Sequence, residues 1–347
     1  MMNYRVLWVG LVGLLSFYGS GAAYAGIMTF GSGANQFSMD FVTIGSPGNA
    51  ADTAGSPNPA GAVGYTYQMG KYEVSRDMIT KATSAGSLGI TLSDMSVFGG
   101  NGANRPTTGV SWNEAARFVN WLNTSSGGSA AYNFTTTGAN DYIALWTVTD
   151  TFDYDASNPF RSLRANYVLP TIDEWYKAAY FDPSANGGLG GYWNYTTGSD
   201  AIPTAVAGGT TAGTVVYAQP YFQGPADITQ AGGLSPFGVM GLGGNVWEWN
   251  ETESDLVNNS TLSDRVVRGG GWLFDYDSFS SSSKLFPVHP SNGSNFDIGF
   301  RVASLSSPAV VPEPGSLAIW GMMSVVGWLS RGRRVRKLPS SLSSFYP

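Results

Sequence analysis

Gly244-Asn245-Val246-Trp247-Glu248-Trp249 is followed by Arg268-Gly269-Gly270-Gly271-Trp272 and then, close to the end of the folded body, by Gly299-Phe300-Arg301. These blocks set glycines, which let the backbone turn, beside large aromatic rings and isolated charges. Trp247, Trp249 and Trp272 read as core aromatics, with Glu248 paired to a buried arginine. Arg268 and Arg301 supply guanidinium groups for such pairs, or for an anionic ligand.

Upstream, two helix starts stand out. Ser111 precedes Glu114 by three residues and Thr171 precedes Glu174 by three, the spacing of a capping box, in which each side chain satisfies an orphan N–H of the first turn. Ala115, Phe118, Val119 and Leu122 then recur on one helical face, and Trp175, Ala178 and Ala179 face inward on a second helix ending near Tyr180. Phe37–Ile44 alternates as a strand does, Tyr65–Val74 alternates again, and Ser75 caps a helix running to about Ala85. The stretches 46–64, 84–104 and 182–238 are rich in small and turn-forming residues and read as loops, the last with short strands. The expected architecture is α+β, with two or three helices among many short strands and long loops, and no repeat of fixed period.

Composition agrees. Glycine is 46 of 347 residues and charged residues are 12%, which excludes charge-driven disorder and a coiled coil. Six of the 18 basic residues but only one of the 24 acidic ones, Glu313, lie in the chain ends, so the middle holds 12 basic against 23 acidic. A body this acidic repels phosphate backbones, so no nucleic-acid partner is expected. The absence of cysteine removes disulfides, thiolate metal sites and cysteine nucleophiles. The single histidine, His289, removes any site needing two imidazoles.

Both ends read as addresses. Residues 1–25 have a basic Arg5, an apolar run Val6–Phe17 and a small-x-small site at Ala23-Tyr24-Ala25, the pattern of a signal peptide cut by signal peptidase. Residues 308–337 carry Pro312-Glu313-Pro314, an apolar run Gly315–Leu329 and a basic cluster from Arg331 to Lys337, with 338–347 as a short tail. Fifteen helical residues span only ~22 Å, short of the ~30 Å hydrocarbon core. A short span behind a proline-rich break suits a segment held briefly in the membrane and then cut; a permanent tail anchor is the alternative. This end resembles the PEP-CTERM sorting signal of Gram-negative bacteria. The resemblance implies a transient membrane anchor, removal by an exosortase, and delivery of the body to the cell surface or extracellular matrix.

Six blocks in order carry a second resemblance: Tyr67 to Val74, Arg105 to Trp112 with its helix, Leu169 to Trp175, and the three blocks quoted first. Together they are similar to the formylglycine-generating enzyme (sulfatase-modifying factor) family, within a domain spanning residues 26–307. The resemblance implies a C-type-lectin-like α+β fold with low regular structure. It does not bring the family's reaction with it. Where catalytic members place two copper-binding cysteines, this chain aligns Phe274 and Phe279, and the cysteine that often follows Gly-Phe-Arg is Val302. The iron-dependent branch needs several histidines. Neither copper nor iron is therefore expected.

The resemblance does imply a structural calcium, held by the carbonyls of Gly244 and Val246 and the carboxylate of Glu248; Gly241 stands where a further Asn or Asp is usual. Hard Ca²⁺ takes six to eight oxygens, so this set is incomplete. His289 has no Gly-x-Ser-x-Gly elbow to serve. The acid pairs Asp275 with Asp277 and Glu251 with Glu253 read equally well as solvated loop charges. Tyr192, Trp193 and Tyr195 suit sugar stacking or plain packing. The function expected is that of an exported non-catalytic binding or structural protein of the bacterial surface, engaging extracellular polysaccharide. An enzyme using other residues on the same scaffold is the alternative.

Overall fold

Along Phe37–Ile44 the side chains of Phe37, Met39 and Phe41 fall on one face and are buried, as the period of two requires. In the computed structural model, which describes residues 26–134 and 143–305, this strand is the longest of a five-stranded antiparallel sheet. The order is Gly26–Phe30, Phe37–Ile44, Tyr67–Gly70, Ala303–Ser304, Tyr167–Val168. Ala303 lies opposite both Met69 and Val168, so the last strand of the domain is threaded between two formed far upstream. The expected second strand ends at Gly70, where a Cβ would come within 3.1 Å of the Val302 carbonyl.

Three helices pack on this frame. α1 (Arg76–Gly86) is capped by Ser75. α2 (Trp112–Ser125) and α3 (Ile172–Tyr180) each begin with a complete capping box, through Ser111 with Glu114 and Thr171 with Glu174. Ala115, Phe118, Val119 and Leu122 of α2 are fully buried, as are Trp175, Ala178 and Ala179 of α3. Phe118 lies between Phe37 and Phe300, with ring centroids 6.2 and 5.7 Å apart, and so joins helix, sheet and the Gly-Phe-Arg block in one core.

A second sheet carries the blocks that opened the sequence reading. Its order is Phe286–Val288, Arg265–Arg268, Trp247–Glu253, Ile298–Gly299, antiparallel except for the last pair. Residues 182–238 form only brief ladders, such as Thr204–Ala205 with Thr214–Val215. Main-chain bonds and buried apolar contacts tie them to the rest, as where Asn245 N–H donates to the Val216 carbonyl (2.8 Å) and Val216 packs with Val246 and Trp272. The result is the expected α+β fold, poor in helices and rich in loops. Among the described residues no helix is long and apolar enough to cross a membrane. The expected signal peptide (1–25) and the sorting segment and tail (308–347) lie outside the described residues.

Candidate functional site

The centre of the molecule is the Gly244–Trp249 turn. Gly244 and Asn245 both adopt positive φ, 69° and 58°. At Gly244 a Cβ would meet the Val216 carbonyl at 2.2 Å, so only glycine fits. The turn is stapled to the glycine-rich block: Gly244 N–H donates to Gly269 O (2.7 Å), and Trp272 N–H to Asn245 O (2.9 Å).

Glu248 is wholly buried, and its carboxylate is already claimed. Arg301 donates Nη2 to Oε1 (2.5 Å) and Nε to Oε2 (2.6 Å), while Trp175 Nε1 donates to Oε2 (2.7 Å). The paired reading of Glu248 is thus the one the geometry realises. A cation at this carboxylate would sit against a guanidinium. Of the expected calcium ligands Gly244, Val246 and Glu248, the carboxylate of Glu248 as placed is taken up by Arg301 and Trp175.

The acid that does face the turn is Glu73. Asn245 Nδ2 donates to both its oxygens (3.0 and 2.9 Å). A Cβ on Gly241 would approach the Glu73 carboxyl at 3.0 Å. The side chain missing at 241 therefore has its space filled by Glu73, which the sequence reading overlooked; its one signal was a lone acid among the buried residues of the Tyr67–Val74 block. Burial, then the neighbouring Glu248 charge, push the Glu73 carboxyl well above the usual carboxylate range, against the opposing pull of Arg301 and Asn245.

Glu251 and Glu253 are not solvated loop charges. Both lie on the 247–253 strand and are fully buried. Glu251 accepts from Arg161 Nε (3.0 Å), Tyr132 Oη (2.7 Å) and Asn158 Nδ2 (2.5 Å). The same Arg161 donates Nη1 and Nη2 to Glu174 (2.8 and 2.9 Å), so one guanidinium bridges two buried acids. Asp275 and Asp277 are exposed, as loop charges are. Arg268, buried like Arg301, has no ion pair among the described residues; it donates to the main-chain oxygens of Ser280, Ser281 and Ser283 and lies over the rings of Trp175, Tyr176 and Tyr180.

Phe279 is fully buried between Tyr195 and Tyr217, with ring centroids 5.9 and 5.0 Å away. Phe274 meets Trp247 edge-on at 5.4 Å, and Phe286 stacks on the same indole at 5.6 Å. Among the described residues no three His, Cys, Asp or Glu side chains come together as a metal site. His289 is exposed and pairs only locally, Nδ1 to Ser291 Oγ at 2.8 Å.

The sugar-stacking candidates do not form an open platform. Tyr195 is buried, Tyr192 spends its hydroxyl on Asn49 and the carbonyls of Ala50 and Gly61, and Trp193 donates to Asp182. The rings that do stand exposed among the described residues are Tyr65, Phe152, Tyr221, Phe222, Tyr276 and Phe286; composition alone does not separate the two sets. A cleft of about 300 Å³ opens at the start of α2, lined by Glu114 and several serines.

These features define a loop-rich α+β scaffold built around a Gly-Asn-x-Trp-Glu-Trp turn. Residues 37–305 match the sulfatase-modifying factor enzyme 1-like domain, and the chain belongs to that family. Among solved structures it is similar to Treponema denticola variable protein 1, with 18% identity and a TM-score of 0.51 over 81% of this chain and 99% of that one. It is also similar to CarF, with 19% identity and a TM-score of 0.50 over 70% and 87%. At such identities the likeness is one of fold. No curated protein sequence matches the chain significantly.

Proposed function

We propose that this protein is a non-catalytic binding domain of the bacterial surface or extracellular matrix, which keeps its family's scaffold and has given up its redox chemistry. The observation that carries this reading is the packing of Phe274 and Phe279. Both positions, which the family resemblance assigns to copper-binding cysteines, are phenylalanines locked into aromatic clusters. Oxidation of a thiol on copper–thiolate needs ligands that this chain does not own.

Export rests on residues 1–25 as a signal peptide for signal peptidase. Delivery rests on 308–337 as a PEP-CTERM-like segment for an exosortase, with membrane attachment until the tail is removed. The partner proposed is extracellular polysaccharide, because large rings stand exposed at Tyr221, Phe222 and Phe286 on a body that avoids polyanions such as nucleic acid.

Native affinity electrophoresis tests the binding claim. The purified protein is run through gels containing a neutral glucan, a polyuronate or an amino-polysaccharide. Retardation in at least one of them is the expected result. Unchanged mobility in all three overturns polysaccharide as the partner.

A further inference from the structure

The cleft at the start of α2 holds a carboxylate that capping the helix leaves partly unused. Glu114 is only 8% exposed. Its Oε2 is saturated by the Ser111 N–H (2.8 Å) and hydroxyl (3.0 Å). Its Oε1 receives only a long 3.4 Å contact from the Thr91 N–H, and no ion pair among the described residues includes it. A nearly buried carboxylate with an under-used oxygen is a strong acceptor for an incoming O–H. Thr91, Ser93 and Ser291 line the same opening beside Ser111, and a hydroxyl side chain can both give and accept a hydrogen bond; the Ser111 hydroxyl is already engaged with Glu114. Gly293 keeps it open, since a Cβ there would press on Glu114 Oε2 at 3.3 Å and Gly109 O at 3.2 Å.

An independent feature lies a short way along the same loop. Three residues past Gly293, a reach of at most ~11 Å, Phe296 stacks on Phe98 with centroids 4.5 Å apart and planes 4° from parallel. Tyr221 packs edge-on against both, and Phe222, 70% exposed, packs edge-on against Tyr221. Polar groups converging in a cleft beside an aromatic face are the two halves of a small-ligand site. Vicinal hydroxyls suit the first half, and the C–H face of a sugar ring suits the second. A carboxylate in the cleft turns away uronates by like-charge repulsion.

We propose that the Glu114 cleft is a sugar-binding site for uncharged glycan, with the Tyr221–Phe222 face receiving the neighbouring unit. This rests on polysaccharide being the partner and adds where it binds and which charge class is accepted.

The test repeats the electrophoresis with the full protein, using hydroxyethyl cellulose as the neutral probe and alginate as the acidic one. Two variants accompany it: Glu114→Gln, whose amide oxygen still caps the helix, and Phe222→Ala at an exposed ring. The wild type is expected to be retarded by hydroxyethyl cellulose and not by alginate. Each variant is expected to weaken that retardation, Glu114→Gln by about tenfold in dissociation constant, with melting temperatures unchanged. If Glu114→Gln melts lower, Ser291→Tyr, which fills the cleft from its exposed rim, takes its place with the same expectation. Retention of wild-type affinity by the cleft and Phe222 variants overturns the site while leaving a polysaccharide partner intact. Retardation by alginate alone overturns the charge class. Loss of all retardation, in every polysaccharide, overturns both this site and the partner it rests on.

Discussion

Replacing Arg301 by leucine is expected to cost about 3–5 kcal/mol of stability, the range for removing one member of a buried ion pair. The guanidinium is fully buried and makes two bonds to Glu248, one to Gly70 O (3.0 Å) and one to Met240 O (2.9 Å). Without it the Glu248 carboxylate retains the Trp175 indole, two buried carbonyls lose this donor, and the Glu73 carboxyl loses the guanidinium charge that opposes Glu248. Urea unfolding at neutral pH reads the loss as a shift in midpoint at constant slope. The double variant Arg301→Leu with Glu248→Leu is expected to recover part of it, because the stranded charge goes with its partner. A loss below about 1 kcal/mol, the scale of an exposed pair, would show that this ion pair does not organise the core.

Arg161→Leu is expected to cost a similar ~3–5 kcal/mol at neutral pH and to reverse how stability depends on acid. Burial by itself raises the Glu174 carboxyl, but the charge and hydrogen bonds of Arg161, with smaller help from Tyr65 and Thr171, hold it below its ordinary value of 4.5. A depressed carboxyl contributes stability above that ordinary value, and the contribution is lost as pH falls through the folded-state value. In the variant burial prevails, so the folded-state value rises and the linkage changes sign. Glu174 then destabilises the fold as pH climbs past about 4.5. Wild type and variant should therefore converge in urea midpoint between pH 7 and pH 4.5. An equal gap at both pH values would mean that Arg161 acts by packing and not by charge.

What could be read from the sequence was local chemistry or ordered spacing. The capping boxes at Ser111 and Thr171 each complete themselves within four residues, so no knowledge of the fold is needed to see them. Alternation along Phe37–Ile44 marks a strand because one side is buried throughout. The six blocks sufficed for the family because their order and glycine spacing are set by the turn at Gly244 and its contact with Gly269.

What escaped was pairing over distance. Glu251 meets Arg161 across 90 residues, and nothing near either residue announces it. Glu73 fills the space beside Gly241 from the connection between the Tyr67–Gly70 strand and α1, far upstream, so a gap in one motif was closed by a residue of another. Glu114 was fully explained as a capping residue, and only the cleft reveals that its second oxygen has work left. The exposed aromatics were misplaced for the same reason: Tyr195 and Tyr221 are both tyrosines of the loop-rich 182–238 stretch, and tertiary packing alone buries the first and leaves the second open.

We propose a scaffold that binds and does not oxidise. Its most direct test is to load the purified protein with copper(I), desalt it, and follow copper content and oxygen uptake with a cysteine-containing peptide. With Phe274 and Phe279 in place of thiolates, the prediction is that no copper survives desalting and that oxygen uptake equals that of the peptide alone. About one copper per chain after desalting, with oxygen consumed in proportion to protein, would contradict the account.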